Sequence, residues 1–345
     1  MTSPESAPPG APKSLRDVAR FATDFPFGVE ERNRLSEALG EDRLLVARSR
    51  PELAEALRAH PETDVICPLF DVQGLPDFLP SLRWVALSSA GADRVIGQPL
   101  VTGVNPPLIT TANGVHAIPI TEHVFSAILR WSRRWPELAR LQAERHWPGS
   151  LIESAHYAGR ELAGETILII GLGAIGRRIA QVAHAFGMRS LAARRSAAAG
   201  GLDPDVDRVA SVSDLDTLLP QADFVVIAIP STAESRGLMS AARLALMKPG
   251  AMLINIARGD LVDERALIAA LESGKLGAAA LDVTAHEPLP ADDPLWSTPN
   301  MFLSPHISGL TPHYGERLTD ILVDNIARYR VGQPMRNLVQ PERGY

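Results

Sequence analysis

Three segments of this chain carry a short apolar run straight into a residue suited to anion or acid–base chemistry. Met252-Leu-Ile-Asn-Ile-Ala-Arg-Gly-Asp260 places Arg258 just beyond a hydrophobic stretch. Leu281-Asp-Val-Thr-Ala-His-Glu-Pro288 places Asp282 and Glu287 beyond the next one. Ser304-Pro-His-Ile-Ser-Gly309 sets His306 in a loop of proline and glycine. In open α/β sheets ligands bind at the strand ends where such residues fall. An arginine, a carboxylate and a histidine delivered there can run hydride transfer to a 2-oxo acid. Arg258 would hold the carboxylate and polarise the carbonyl, His306 would supply the proton, and Glu287 would orient the imidazole and favour its charged form. Taken singly, Arg258 reads as a turn cap, Glu287 as a surface residue and His306 as an ordinary loop histidine. What decides for chemistry is their order and shared placement downstream of a nucleotide fingerprint.

That fingerprint is Gly171-Leu-Gly-Ala-Ile-Gly176, the spacing G-x-G-x-x-G. It follows the β-branched run Ile167–Ile170 and opens a helical pattern from Ala174 to Ala185. Gly171 allows the tight turn, Gly173 lets the backbone approach a pyrophosphate, and Gly176 packs helix against strand. The helix that opens with Ala174 and Ile175 offers free N–H groups and a positive dipole end to phosphates. About twenty residues on, where an acidic group would read the ribose of NAD, the chain has Leu191-Ala-Ala-Arg-Arg-Ser196. Two guanidiniums, Arg194 and Arg195, with the hydroxyl of Ser196 suit a phosphate dianion. The cofactor expected is therefore NADP(H), with NAD(H) left open, since either arginine could be a solvated loop charge or stack on adenine.

These residues need elements to position them, and 345 residues suffice for two domains. From Phe21 to Thr110 apolar runs alternate with helical patterns: strands near 44–47, 64–69 and 82–87, and a helix over 51–59. That rhythm implies a parallel sheet. A long helical pattern covers about 121–145, with Pro136 expected to kink or interrupt it. A second β-α-β series has strands near 166–171, 189–193, 207–210, 223–229, 251–255, 277–282 and 301–303. Its helices start near Ala174, Ser213, Ala241 and Asp263, the last as an N-cap. One more helix over about 314–329 precedes an extended end. Residues 1–13 are rich in proline, serine and alanine and read as a disordered tail.

Composition narrows the partners. The net charge of −6 and a pI near 5.9 give no reason to expect nucleic acid. No stretch is long and apolar enough for a membrane span, and the start lacks the order of a signal peptide. The single cysteine, Cys67, rules out an internal disulfide and fits a reducing cytoplasm. His116 and His123 do not have metal-ligand spacing, and no metal site is expected.

Taken together, the motifs resemble the D-isomer-specific 2-hydroxyacid dehydrogenase family, from about Trp84 to the C-terminus. The cofactor fingerprint carries the likeness, as do Ile229-Pro-Ser-Thr-Ala-Glu-Ser-Arg-Gly237 beside the cofactor, Asn255–Asp260, Asp282–Pro288 and Ser304–Ile307. The resemblance implies Arg258, Glu287 and His306 as catalytic residues. It also implies Pro230, Ala257, Asp282, Ser308 and Gly309 on the cofactor. Ser88-Ser-Ala-Gly-Ala-Asp93 resembles the loop whose amides bind the substrate carboxylate, implicating Ala90 and Gly91 beside Arg258 and His306. Asn113–His123 resembles the segment entering a dimer-forming helix, so His116 and His123 read as structural and a homodimer through about 120–148 is expected. Thr284 and Ala285 depart from the aromatic and acidic residues often found there. His286, beside Glu287, lacks the flanking residues of the His306 loop and is set aside.

The expectation is an α/β protein of two doubly wound Rossmann-like domains with the active site in the cleft between them. The substrate domain is discontinuous, 14–119 and 306–345, around an inserted NAD(P)-binding domain, 120–305. The activity expected is interconversion of a small 2-oxo acid and a D-2-hydroxy acid, of glyoxylate or hydroxypyruvate type. The competing reading is an NAD(H)-sensing corepressor-like module of the same fold.

Overall fold

Short aliphatic runs, buried on both faces in the central strands, form two sheets in which every strand pair is parallel. The computed structural model describes residues 18–40, 42–92, 94–195 and 203–340; the tail expected over 1–13, and Ser196, lie outside the described residues. The chain forms two compact units. The smaller takes residues up to Val115 and those from Thr311 on, and the larger is His116–Leu310. The division thus falls at 115/116 and 310/311 rather than at 119/120 and 305/306. The loop bearing His306 belongs to the larger unit because its amides bond to Asp282 of that unit.

The smaller unit runs β1 (Phe21–Thr23), α1 (Val29–Leu39), β2 (Leu44–Val46), α2 (Arg50–Ala59), β3 (Val65–Cys67), β4 (Trp84–Ala86), α3 (Pro99–Thr102) and β5 (Leu108–Thr110). Its strand order is β2-β1-β3-β4-β5. Alternate residues face opposite cores, as the period-2 pleat requires. Phe21, Val65, Cys67 and Trp84 pack with α1 and the C-terminal helix, while Ala22, Ile66 and Val85 pack with Leu53 and Leu57 of α2. Trp84 Nε1 donates to Thr110 Oγ1 at 2.9 Å, so the indole is buried with its polar atom satisfied. Beyond Asn337 the chain lies antiparallel along β5, through Val339 N to Ile109 O at 2.8 Å.

The larger unit opens with α4 (Ala117–Ser132), α5 (Trp135–Ala143) and α6 (Leu151–Ala155). It continues β6 (Thr166–Ile170), α7 (Ala174–Ala185), β7 (Arg189–Arg194), β8 (Arg208–Ser211), α8 (Leu215–Leu218), β9 (Phe224–Ile227), α9 (Ala241–Leu246), β10 (Met252–Asn255), α10 (Glu264–Glu272), β11 (Ala278–Leu281) and β12 (Met301–Leu303). The smaller unit then resumes with α11 (Tyr314–Arg330). The large sheet runs β12-β11-β10-β9-β6-β7-β8, so strand order reverses at β6 and β9, the point where such sheets bind dinucleotides. Leu168, Ile170, Val225 and Leu253 face one core; Ile167, Ile169, Val226 and Ile254 face the other.

The helical pattern expected over 121–145 is interrupted, forming two helices, but the break falls just before Pro136. Arg134 takes a left-handed conformation at φ 57°, and Pro136 then sits in the first turn of α5, where its missing N–H costs nothing. The proline begins a helix instead of kinking one. Near Ser213 a short 3₁₀ turn precedes α8. Among the described residues no helix is long and apolar enough to cross a membrane.

Candidate active site

The glycine turn is built as its spacing requires. Gly171 has φ 109°, and a Cβ there would lie 2.3 Å from Ala228 O; a Cβ on Gly176 would lie 2.0 Å from Gly171 O. Both positions exclude any side chain, which lets β6 pass into α7 against the end of β9. Gly173 caps α7 and differs: the space at its Cβ position is open, and among the described residues no side chain satisfies the first-turn N–H groups that follow, at Ala174 and Ile175. An exposed glycine at the free N-terminus of a helix, at the switch point of the sheet, fits a dinucleotide pyrophosphate. Arg194 ends β7 with its side chain half-buried, and Arg195 follows, exposed. Pro230 lies just past β9, its carbonyl accepting Ser235 Oγ at 2.9 Å, and Ala257 is buried just past β10.

The next three strand ends carry the residues expected to do the chemistry. Arg258 follows β10 in extended conformation, with its carbonyl held by Asn255 Nδ2 at 2.8 Å. The same buried amide accepts Ala257 N through Oδ1 at 3.0 Å, bracing the turn. Arg258 Nη1 donates to Ala257 O at 2.7 Å. Gly259 must be glycine, because its Cβ would meet the Thr284 backbone at 1.9 Å. That close approach ties the loop after β10 to the loop after β11.

Within the latter, Thr284 N donates to Glu287 Oε1 at 3.1 Å, and Glu287 Oε2 lies 2.8 Å from His306 Nδ1. The carboxylate is thereby fixed on one oxygen and free to orient the imidazole with the other. Glu264 of α10 accepts Ala285 N at 2.7 Å, bracing the loop from behind. His306 itself sits at φ 54°, an uncommon conformation for a histidine that persists only where its surroundings impose it.

Asp282 imposes it. Its side chain is buried, with the residue only 3% exposed, and it accepts Ser304 Oγ at 2.6 Å, Ile307 N at 3.0 Å, Ser308 N at 3.1 Å, and Ser308 Oγ. Burial pushes its pKa up, but the donors from Ser304, Ser308 and the two amides outweigh burial and hold the carboxyl below the usual aspartate range. Ser304 Oγ also reaches His123 Nε2 of α4 at 3.1 Å. His116 Nδ1 meets Gly309 O at 2.9 Å, which is why no side chain fits at Gly309. The two α4-region histidines thus hold the His306 loop from both ends.

Of the residues read from sequence, Glu287 pairs directly with His306, Asp282 with Ser308, and Arg258 stands at the neighbouring strand end. His286 turns its backbone carbonyl to Thr284 Oγ1 and takes no part in the dyad. Missed were the roles of Ser304 and Glu264, and the load on Asp282 as organiser of the His306 loop. The signal was present in Ser304-Pro-His-Ile-Ser308, a donor-rich loop facing a carboxylate that ends a buried strand.

Ala90 and Gly91 lie in the smaller unit, beyond β4. Ser89 Oγ donates to Gly91 O at 2.7 Å, Phe70 N donates to Ser88 Oγ at 2.8 Å, and Tyr314 OH donates to Ser88 O. Among the described residues the amides of Ala90 and Gly91 have no acceptor, as an anion-binding loop requires.

Comparison with known proteins agrees with this geometry. Residues 125–308 match the model for the D-isomer specific 2-hydroxyacid dehydrogenase NAD binding domain. Glyoxylate/hydroxypyruvate reductase B of Citrobacter koseri is 36% identical over 272 residues, 76% of this chain and 80% of that protein. A D-isomer specific 2-hydroxyacid dehydrogenase family protein from Aeromonas salmonicida superposes with TM-score 0.76 at 30% identity, covering 94% of this chain and 99% of that one. A D-isomer specific 2-hydroxyacid dehydrogenase from Xanthobacter autotrophicus, solved with NADPH and MES, gives TM-score 0.77 at 29% identity, over 95% and 100%. With its nucleotide-binding half matched by the family's model and over a third of its aligned residues shared with a named reductase, the chain belongs to the D-isomer specific 2-hydroxyacid dehydrogenase family of oxidoreductases.

Proposed function

We propose that the chain reduces a small 2-oxo acid, of glyoxylate or hydroxypyruvate type, to the corresponding 2-hydroxy acid, of D configuration where the product is chiral, with NADPH as preferred reductant. The observation that carries this reading is the Glu287–His306 pair at 2.8 Å, one strand end from Arg258. The substrate class follows the likeness to glyoxylate/hydroxypyruvate reductase B, and the cofactor preference follows Arg194 and Arg195. Gly171, Gly173, Ala174, Ile175 and Gly176 would hold the pyrophosphate. Pro230, Ala257, Ser308 and Gly309 would line the remainder, and the NADPH-bound relative supports such a site. When bound, the nicotinamide supplies the hydride.

This chain's own residues do the rest. Arg258 takes the substrate carboxylate and polarises the carbonyl. In the smaller unit, the unpaired amides of Ala90 and Gly91 are assigned to carboxylate binding. His306, turned by Glu287 through Nδ1, delivers the Nε2 proton to the forming alkoxide, and Glu287 stabilises the charge the imidazole carries beforehand. In the oxidative direction His306 takes the proton back. The helical segment 120–148 is assigned to a homodimer, and the buried single cysteine, its thiol pushed up to about 12 by burial, fits a reducing cytoplasm.

The test is loss of reduced-cofactor absorbance with glyoxylate, hydroxypyruvate, pyruvate and phenylpyruvate, each with NADPH and NADH. Turnover is expected on glyoxylate and hydroxypyruvate, faster with NADPH. His306→Ala should lower kcat by about 10²–10⁴-fold, and Arg258→Ala should raise KM as well. Wild-type turnover that survives both substitutions sinks the mechanism. Clear cofactor binding without turnover on any acid would replace the enzyme with the sensor reading.

A further inference from the structure

Arg194, assigned above to the cofactor's 2′-phosphate, has an unexpected neighbour. Its Nη1 lies 3.5 Å from Oδ2 of Asp203, whose side chain is only 6% exposed. A buried carboxylate beside a phosphate-reading arginine is a liability twice over. It can draw the guanidinium into an ion pair of its own, and its charge repels a phosphate dianion across a poorly screened path.

A third residue answers both problems. Arg177, in the first turns of α7 and directly below the glycine turn, forks onto Asp203 with Nη1 to Oδ1 at 2.9 Å and Nη2 to Oδ2 at 3.1 Å. The same guanidinium pairs with Asp205, whose amide donates to Asp203 Oδ1 at 3.2 Å. Both carboxylate oxygens of Asp203 are therefore taken at normal hydrogen-bond length by Arg177. The 3.5 Å approach of Arg194 is the loosest contact of the set, so Arg194 stands at the rim of the cluster and is not consumed by it. Its side chain is 35% exposed, so the guanidinium keeps a face open to an incoming anion. The bidentate fork with Arg177 holds the Asp203 carboxyl below its usual range, burial opposing.

We propose that Arg177 is a positioning residue for cofactor choice: by neutralising Asp203 it keeps Arg194 available to a 2′-phosphate and so sets the preference for NADP(H) over NAD(H). The inference rests on the reading of Arg194 given under the proposed function. The alternative is a plain staple, in which Arg177, Asp203 and Asp205 only fasten the loop before β8 onto α7. A staple would serve both cofactors equally.

Calorimetric titration of the full-length chain with NADP⁺ and with NAD⁺ separates these. The wild type should bind NADP⁺ the more tightly. Arg177→Ala should weaken NADP⁺ about tenfold, the loss of one charge-assisted contact, with NAD⁺ changed by less than about twofold. Arg177→Ala with Asp203→Asn should recover most of the lost NADP⁺ affinity, because the carboxylate that reaches Arg194 is gone, while Asp205, left without Arg177, makes no contact with Arg194. Asp203→Asn alone keeps the side chain's shape and should raise the ratio of NADP⁺ to NAD⁺ affinity, a result that stands even if Arg177→Ala does not fold. Equal weakening of both cofactors, no recovery in the double variant, or an unchanged or lower ratio in Asp203→Asn overturns the inference while the phosphate-reading role of Arg194 survives. A wild type without preference overturns that role, and the inference with it.

Discussion

A carboxylate that is almost wholly buried yet remains ionised needs donors on nearly every lone pair. Asp282 has them, and all come from residues 304–308, the loop that carries His306. Its charge therefore works as the fastener of the His306 loop, with the φ 54° backbone of His306 as the strained product. Asp282→Asn keeps the volume but replaces one acceptor oxygen by an amide that faces N–H donors. Such a buried mismatch costs about 1–3 kcal/mol, and a small displacement of His306 should lower kcat about 10²-fold. Because the folded-state pKa is lowered, the wild-type stabilisation is present above the ordinary aspartate range and disappears as pH falls through the lower folded value. The Asn variant should thus be less stable than wild type at pH 7, and the gap should close in acid. Kinetics at pH 7 with thermal melts from pH 7 down to 3 check both halves; an unaltered kcat would remove Asp282 from the positioning of His306.

Between residue and molecule stand the elements, and one group of them presents apolar surface with no described cover. Trp147, Leu151 and Ile152, around α6, are 90%, 89% and 80% exposed, and Trp135 at the start of α5 is more than half exposed. Scattered apolar side chains need no explanation, but several large exposed ones within one stretch of sequence are what an interface uses. If that stretch forms the homodimer, Trp147→Ser with Leu151→Ser should halve the mass measured by sedimentation equilibrium, and a monomeric wild type would refute the assignment. Legibility in the sequence varied at this scale for physical reasons. The β6–glycine–α7 unit was readable because strand, turn and helix signals fall within one window. β1, α1 and β5 carried no separate signal: α1 has few apolar residues, and a three-residue strand shows neither alternation nor length unless its flanks extend the apolar run, as they do at β3 and β4. The break at Arg134 was placed at Pro136 because proline is visible and a left-handed arginine is not. In the site, Arg258, Glu287 and His306 were legible because each lies just beyond an apolar run. Arg177 and Asp203, 26 residues apart, meet only once β7 has folded beside β6, and no local pattern announces such a pair.

At the scale of the whole molecule, a second pH dependence lies at the starts of the central strands, the end of the large sheet opposite Arg258 and His306. Where β6, β9 and β10 begin, Asp223 accepts Thr166 N at 3.0 Å and Lys248 Nζ at 2.6 Å, with Glu165 beside it. Burial raises Asp223, but Lys248, the Thr166 amide and Glu165 together bring it below the ordinary value. Glu165 goes the other way: burial first, then the neighbouring Asp223 charge, raise it, and Arg160 at 3.8 Å is too far to donate a hydrogen bond. Its Oε2 is buried with no hydrogen-bond partner among the described residues. For an acid whose folded-state pKa is raised, the folded state binds the proton more tightly than the unfolded one. Stability then falls as pH rises from the ordinary glutamate value through the raised one, and the deficit is complete above it. Glu165→Gln mimics the protonated form permanently and offers Asp223 a donor. The variant should melt about 2–4 °C above wild type at pH 7–8, the shift expected of roughly 1 kcal/mol in a domain of this size. That advantage should vanish below pH 4, where the wild-type carboxyl is protonated too. A gain that persists unchanged into acid would mean the substitution acts through packing or the unfolded chain, and that the carboxyl pair does not set the upper limit of this protein's pH stability.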